Sequence, residues 1–120
     1  MFYDKKQFSC SCGCGLNKPA QSLIDKLDTL ASFYGRAIKI NSGCRCARHN
    51  SKIGGVMGSA HCPDIHGETH AVDIACSNSH DRFLLLQAGL DAGFVRVELK
   101  GTWLHFDDDQ TKPQEVAFYE

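Results

Sequence analysis

The sequence predicts one α+β domain, a small antiparallel sheet with flanking helices, on three observations. Two segments repeat apolar residues at helical spacing, and several short runs alternate or stay apolar in the manner of strands. The third is length: 120 residues allow one domain with a core but not two. The domain is taken as residues 1–120, with a Cys-rich N-terminal arm over 1–16 and a polar C-terminal tail over 108–120.

The first helix is predicted over Lys18–Tyr34, where Leu23, Ile24, Leu27, Leu30, Ala31 and Tyr34 recur on one face. Asn17 is its expected cap, Pro19 stands in its first turn, and Gly35 ends it. Arg36 to Asn41 then alternates, with Ile38 and Ile40 facing one way, which reads as a short half-buried strand. One or two helical turns are expected between Ala47 and Ile53, followed by loop from Gly54 to Thr69. His70–Ala75 reads as a buried strand, and Ser79–Ala92 as a Leu-rich helix capped by Ser79 and ended by Gly93. Phe94–Leu99 and Thr102–Asp107 read as a hairpin turning at Lys100-Gly101. The run Asp107-Asp108-Asp109 reads as a solvated exit, with Val116 to Tyr119 packing back.

The hairpin sorts chemistry onto one face. With Lys100 and Gly101 as the loop, Arg96 lies opposite His105 and Glu98 opposite Trp103. Arg96, Glu98, Trp103, His105 and Asp107 share that face, while Val95, Val97, Leu99, Leu104 and Phe106 form the core-facing set. A reaction surface and a solvated outer face carrying one Trp are both compatible with the pattern.

Charge and composition narrow the function classes. A net charge of −1 without a basic run gives no footprint for nucleic acid or a membrane surface. No apolar stretch approaches the length of a bilayer span, and the first residues lack a signal-peptide core. Synthesis in a reducing cytosol without a signal peptide is therefore expected. Seven cysteines is an odd number, so at least one thiol stays free, and metal ligation competes with cross-linking.

Residues Ser42 to Cys76 concentrate four of the six histidines and four of the seven cysteines, which points the search for a metal to this stretch. A hydrolytic zinc site takes three ligands from His, Asp or Glu and keeps a position open. His61 from the Gly-rich loop, Asp73 from a central strand and His105 from the hairpin supply such a set. His70 is a poorer ligand because on a strand it points away from the face of Asp73, and His49 and His80 read as surface residues.

With their flanks these residues resemble a known pattern. Ser42-Gly43-Cys44-Arg45, Asn50, Gly54-Gly55, Ser59-Ala60-His61, Ala71-Val72-Asp73-Ile74 and Trp103-Leu104-His105-Phe106-Asp107 are similar to the motifs of the M15 zinc peptidases. The resemblance runs from the Cys/Gly segment at Phe8–Gly15 to about Asp107 and is nearest the small phage and bacterial branch of D-Ala-D-Ala carboxypeptidase-like domains. It implies a Hedgehog/D-Ala-D-Ala peptidase-like fold and one catalytic Zn2+ on His61, Asp73 and His105. It also implies that Arg45 holds a substrate carboxylate or carbonyl oxygen, a role suited to the guanidinium fork. Ser59 and Trp103 are expected to contact substrate, and Asp107 to orient a ligand imidazole.

Two departures stand out. The span from His61 to Asp73 is longer than in the family, so an insertion within Cys62–Thr69 is assumed; His66 sits at the family's spacing and competes with His61. The family's acid ahead of the last histidine is replaced by Thr102, so Glu98 is taken as the general base. The implied substrates are peptidoglycan stem peptides, cut at the bacterial cell wall by a carboxypeptidase-like or endolysin-like endopeptidase activity. The chain is expected to be a monomer. The alternative is a non-catalytic, zinc-containing wall-binding or structural module.

Cys10, Cys12 and Cys14 alternate, so in an extended chain their thiols point one way, and Cys44 and Cys46 repeat the spacing. Four of these five thiols holding a second, structural zinc, disulfides between the groups, and free thiols remain open readings.

Overall fold

The computed structural model describes residues 3–63 and 67–119. His66, the competing ligand, lies outside them. Five strands form one sheet: β1 (Ile40–Ser42), β2 (Ala71–Ala75), β3 (Arg96–Leu99), β4 (Trp103–Asp107) and β5 (Val116–Tyr119). Their order is β1-β2-β4-β3-β5. The first three pairings are antiparallel, but β5 runs parallel to β3, so the sheet is mixed where a wholly antiparallel one was expected. The segment between β4 and β5 crosses to the far edge of β3, a non-local choice that alternation within 116–119 does not encode.

Helices α1 (Gln21–Tyr34) and α3 (Ser79–Asp91) pack on each other, and their apolar residues join one face of the sheet in the core. Leu23, Leu27 and Leu30 of α1, Leu85 of α3, and Val72, Val97, Leu104 and Phe106 of the strands are fully buried there. Each such side chain contributes about 1.5–3 kcal/mol of transfer free energy. The short α2 (Ala47–Lys52) lies where helical turns were expected, and a 3-10 turn over Lys5–Phe8 drives Phe8 into the core.

Several boundaries move for local reasons. The first helix starts at Gln21, with Ala20 at its cap position and no side-chain cap. Thr69 holds the preceding residues extended: its N–H donates to Lys18 O, and its carbonyl accepts from Ala20 N. Asn17 instead donates its side-chain amide to Ser9 Oγ. Gly35 does end the helix, in a left-handed conformation at φ 70°. The cap of α3 is Asn78, whose side chain accepts from Asp81 N, in place of Ser79.

The hairpin pairs Leu99 with Leu104, Glu98 with His105 and Arg96 with Asp107, so each partner on β4 lies two residues beyond the expected one. An even shift preserves the faces, so the predicted sorting survives the change of register. Val95 is the exception to the core set, being partly exposed before the strand begins.

The acidic run is no solvated exit. Asp107, Asp108 and Asp109 are all buried, a costly placement for carboxylates unless each is paired. Asp108 accepts from Ser22 Oγ at 2.6 Å and lies 2.7 Å from His70 Nδ1. Asp109 accepts from Thr111 N and Oγ1 and lies 2.9 Å from Lys112 Nζ. These bonds turn the chain back toward β5, so residues 108–119 belong to the fold.

Candidate metal centre and substrate cleft

The face of the sheet opposite the helices carries the site. Ser42, Asp73, His105, Glu98 and Phe118 are successive cross-strand partners, a single row running through all five strands. A cleft of about 320 Å³ opens over this row, lined also by Arg45, Ser59, Trp103, Arg96 and Asp107.

His61 reaches the row from the loop. Its carbonyl accepts from Arg45 N at 3.0 Å and from Thr69 Oγ1 at 3.0 Å, and His70 N donates to Ala60 O. Ser59 Oγ accepts from His61 N at 3.2 Å, so this cleft residue also shapes the turn that presents the imidazole. The His61 ring is buried, with Nδ1 2.7 Å from Gly43 O. A carbonyl only accepts, so Nδ1 carries the proton and Nε2 faces Asp73 Oδ1 at 3.3 Å.

His105 approaches the same oxygen from the other side, with Nδ1 2.8 Å from Asp73 Oδ1 and Nε2 2.7 Å from Asp107 Oδ2. Asp107 in turn accepts from Arg96 Nε at 2.7 Å, and Arg96 donates to Pro113 O. Burial pushes the Asp73 carboxyl up, but the charges and hydrogen bonds of His61 and His105 outweigh it and hold it well below the usual range. Burial disfavours the His105 cation, yet the hydrogen bonds to Asp107 and Asp73 raise it to about 9.

This donor set fits zinc. One ligand atom from each of His61, Asp73 and His105 lies within 4.8 Å of the others, giving two nitrogens and one oxygen. The outer nitrogens are fixed by Gly43 O and Asp107, the arrangement that orients metal-binding imidazoles.

Arg45 sits beside the triad, with its NH2 group 3.9 Å from Asp73 Oδ2. NH1 donates to Asn50 Oδ1 at 2.9 Å and NH2 to Ser42 Oγ at 3.4 Å, while buried Nε has no hydrogen-bond partner among the described residues. Two of the motif glycines, Gly43 and Gly55, are there for space. A Cβ on Gly55 would stand 2.0 Å from Asn50 Oδ1, and one on Gly43 2.4 Å from Phe8 Cδ1. Glu98 is mostly buried and lies 3.5 Å from Lys100 Nζ, which in turn sits 5.9 Å from the centre of the Trp103 ring.

The structure thus brings together every residue expected at the catalytic centre, and it separates one expected at the second cluster. Cys44 is buried away from the other thiols, its sulfur accepting from Lys18 N at 2.9 Å. The turn at residues 11–14 also replaces the extended arm that was expected. Two contributors were missed. Arg96 was placed on the right face, but its grip on Asp107 follows only from the observed register, and Phe118 enters through the parallel pairing. The Phe118 ring lies 6.4 Å from the His105 ring and 5.3 Å from the Arg96 guanidinium.

Among the described residues no helix is long and apolar enough to cross a membrane. The sequence model of the family described as Peptidase M15 matches residues 4–107. No curated protein matches the chain.

Proposed function

The chain belongs to the peptidase M15 family, and from that premise we propose that it is a zinc peptidase acting on the stem peptides of peptidoglycan. The observation that carries the reading is the Asp73 carboxylate held between two buried-side imidazole nitrogens, each imidazole fixed from behind by a second acceptor. His61, Asp73 and His105 would hold the zinc.

Zinc held there supplies a Lewis acid that polarises a scissile carbonyl and makes water more acidic. Arg45, which lines the cleft, binds a substrate carboxylate or carbonyl oxygen through its guanidinium. Asn50 and Ser42 hold that guanidinium in place. Glu98, directly across the ladder from His105, takes a proton from the attacking water on a carboxylate oxygen and passes it to the leaving amine. Trp103 and Phe118 wall the cleft.

The bonds favoured are those involving D-amino acids, cut in a carboxypeptidase or endopeptidase mode at the cell wall. The test is incubation of zinc-loaded protein with muropeptides and mass analysis of the products. Loss of a terminal D-alanine identifies a carboxypeptidase, and internal cleavage an endopeptidase. Binding without any product from every stem peptide would favour a non-catalytic wall-binding module and overturn the reading.

A further inference from the structure

The Cys-rich arm forms a second centre that shares no residue with the His61, Asp73 and His105 set. Cys10, Cys12, Cys14 and Cys46 converge, with all four sulfurs within 4.8 Å of one another. The Cys10 and Cys12 sulfurs are 3.4 Å apart, Cys12 and Cys46 3.7 Å, and Cys10 and Cys46 3.8 Å. These separations are far beyond a disulfide of about 2.05 Å. They match the edge of a tetrahedron of thiolates about 2.3 Å from a central zinc, which is about 3.8 Å. We propose that Cys10, Cys12, Cys14 and Cys46 bind a structural zinc that clamps the N-terminal arm to the segment bearing Arg45.

The backbone is arranged for this. Gly13 at φ 86° and Gly15 at φ 84° take left-handed conformations on either side of Cys14, and Gly13 N donates to Cys10 O. Three cysteines at alternate positions are thereby wrapped toward one point. The fourth comes from sequence-distant Cys46, the residue after Arg45 and the cap of α2. Cys46 N donates to Cys10 Sγ at 3.5 Å and His49 N to Cys46 Sγ at 3.3 Å, the N–H support that thiolate ligands receive from their surroundings. Four protein ligands leave no open position, which makes the site structural. Phe8 O accepts from Cys44 N on the near side of the same segment, so arm and Arg45 loop are tied at two points. Closing the Cys10–Cys12, Cys12–Cys46 or Cys10–Cys46 pair into a disulfide would shorten it by more than an ångström, whereas one ion satisfies all four thiols where they stand.

The ion's presence is independent of the peptidase reading, because the His61, Asp73 and His105 set contains no thiolate. Reduced wild-type protein, the Cys12→Ser/Cys14→Ser variant and the His61→Ala/His105→Ala variant would be purified without oxygen. Each would be assayed for zinc by elemental analysis, then exchanged with cobalt. Two zinc per chain are expected in wild type and one in each variant. An intense thiolate-to-cobalt charge-transfer absorption is expected in wild type and in the histidine variant, and its loss in the cysteine variant. Cys12 and Cys14 are exposed, so replacing them opens no core. Absence of the thiolate absorption in folded wild-type protein would overturn the proposal. So would equal zinc in wild type and the cysteine variant, or a disulfide within the cluster found by mass. One zinc in wild type together with the thiolate absorption would uphold this site and sink the histidine one.

Discussion

Asp107 and His105 stand two residues apart on β4, on the same face, with Asp107 Oδ2 2.7 Å from His105 Nε2. The other oxygen of Asp107 takes the Nε–H of Arg96, so the carboxylate is anchored before it acts on the imidazole. Asp107→Asn should therefore weaken zinc binding about 10–100-fold, the usual effect of losing such a partner. Competition against a chromophoric chelator measures this. Because Arg96 keeps less than its full partner, stability should also fall, by up to roughly 3 kcal/mol. Unchanged zinc affinity in a folded variant would show that Asp107 does not orient His105.

Glu98→Gln keeps the size of the side chain and removes its basicity. The expected outcome is a fall in kcat of about 10²–10⁴-fold with zinc content unchanged. Steady-state kinetics on a muropeptide, paired with elemental analysis, separate this from metal loss. Wild-type turnover in Glu98→Gln would assign the proton transfer to another group.

Arg45→Lys retains the charge and removes the fork that Asn50 and Ser42 hold. Losing a charged hydrogen bond of about 1.5–3 kcal/mol corresponds to a drop in kcat/KM of roughly 10–100-fold. The loss should shrink on a substrate whose terminal carboxylate is amidated. An equal loss on both substrates would mean that Arg45 recognises something other than that carboxylate.

The metal-free protein should show a pH dependence set by His105. Its folded value of about 9 lies above the ordinary 6.5, so its contribution to stability is fully present below about 6.5. That contribution is lost as pH rises through about 9. Thermal unfolding of chelated protein should thus show a Tm that declines across this window, and His105→Gln should flatten the decline. An identical slope in the variant would remove His105 as its source.

Much of the local structure was legible in the sequence, because helical spacing, two-residue alternation and turn residues act over a few positions. Leu23 to Ala31 announced the buried face of α1, and the alternation from Arg96 to Asp107 placed Glu98, His105 and Asp107 on one face even though the register moved by two. The triad was legible through motif context, since His61, Asp73 and His105 each came with distinctive neighbours. Helix starts were less so: tertiary pairing with Thr69 overrode Asn17 as a cap.

Tertiary structure alone decided the rest, because long-range partners leave no periodic trace. Three consecutive aspartates read as solvated until Ser22, His70, Thr111 and Lys112 were seen to surround them. The parallel pairing of β5 brought Phe118 beside His105, and the register made Arg96 the anchor of Asp107. Among the thiols, spacing left five equivalent; the fold turned Cys44 toward Lys18 and gathered the other four. The sequence by itself determined which chemistry-bearing residues exist and which strand face or loop carries them. Only the packing of segments far apart in the chain determined which of them meet, because loop closure is governed by burial and backbone pairing elsewhere in the molecule.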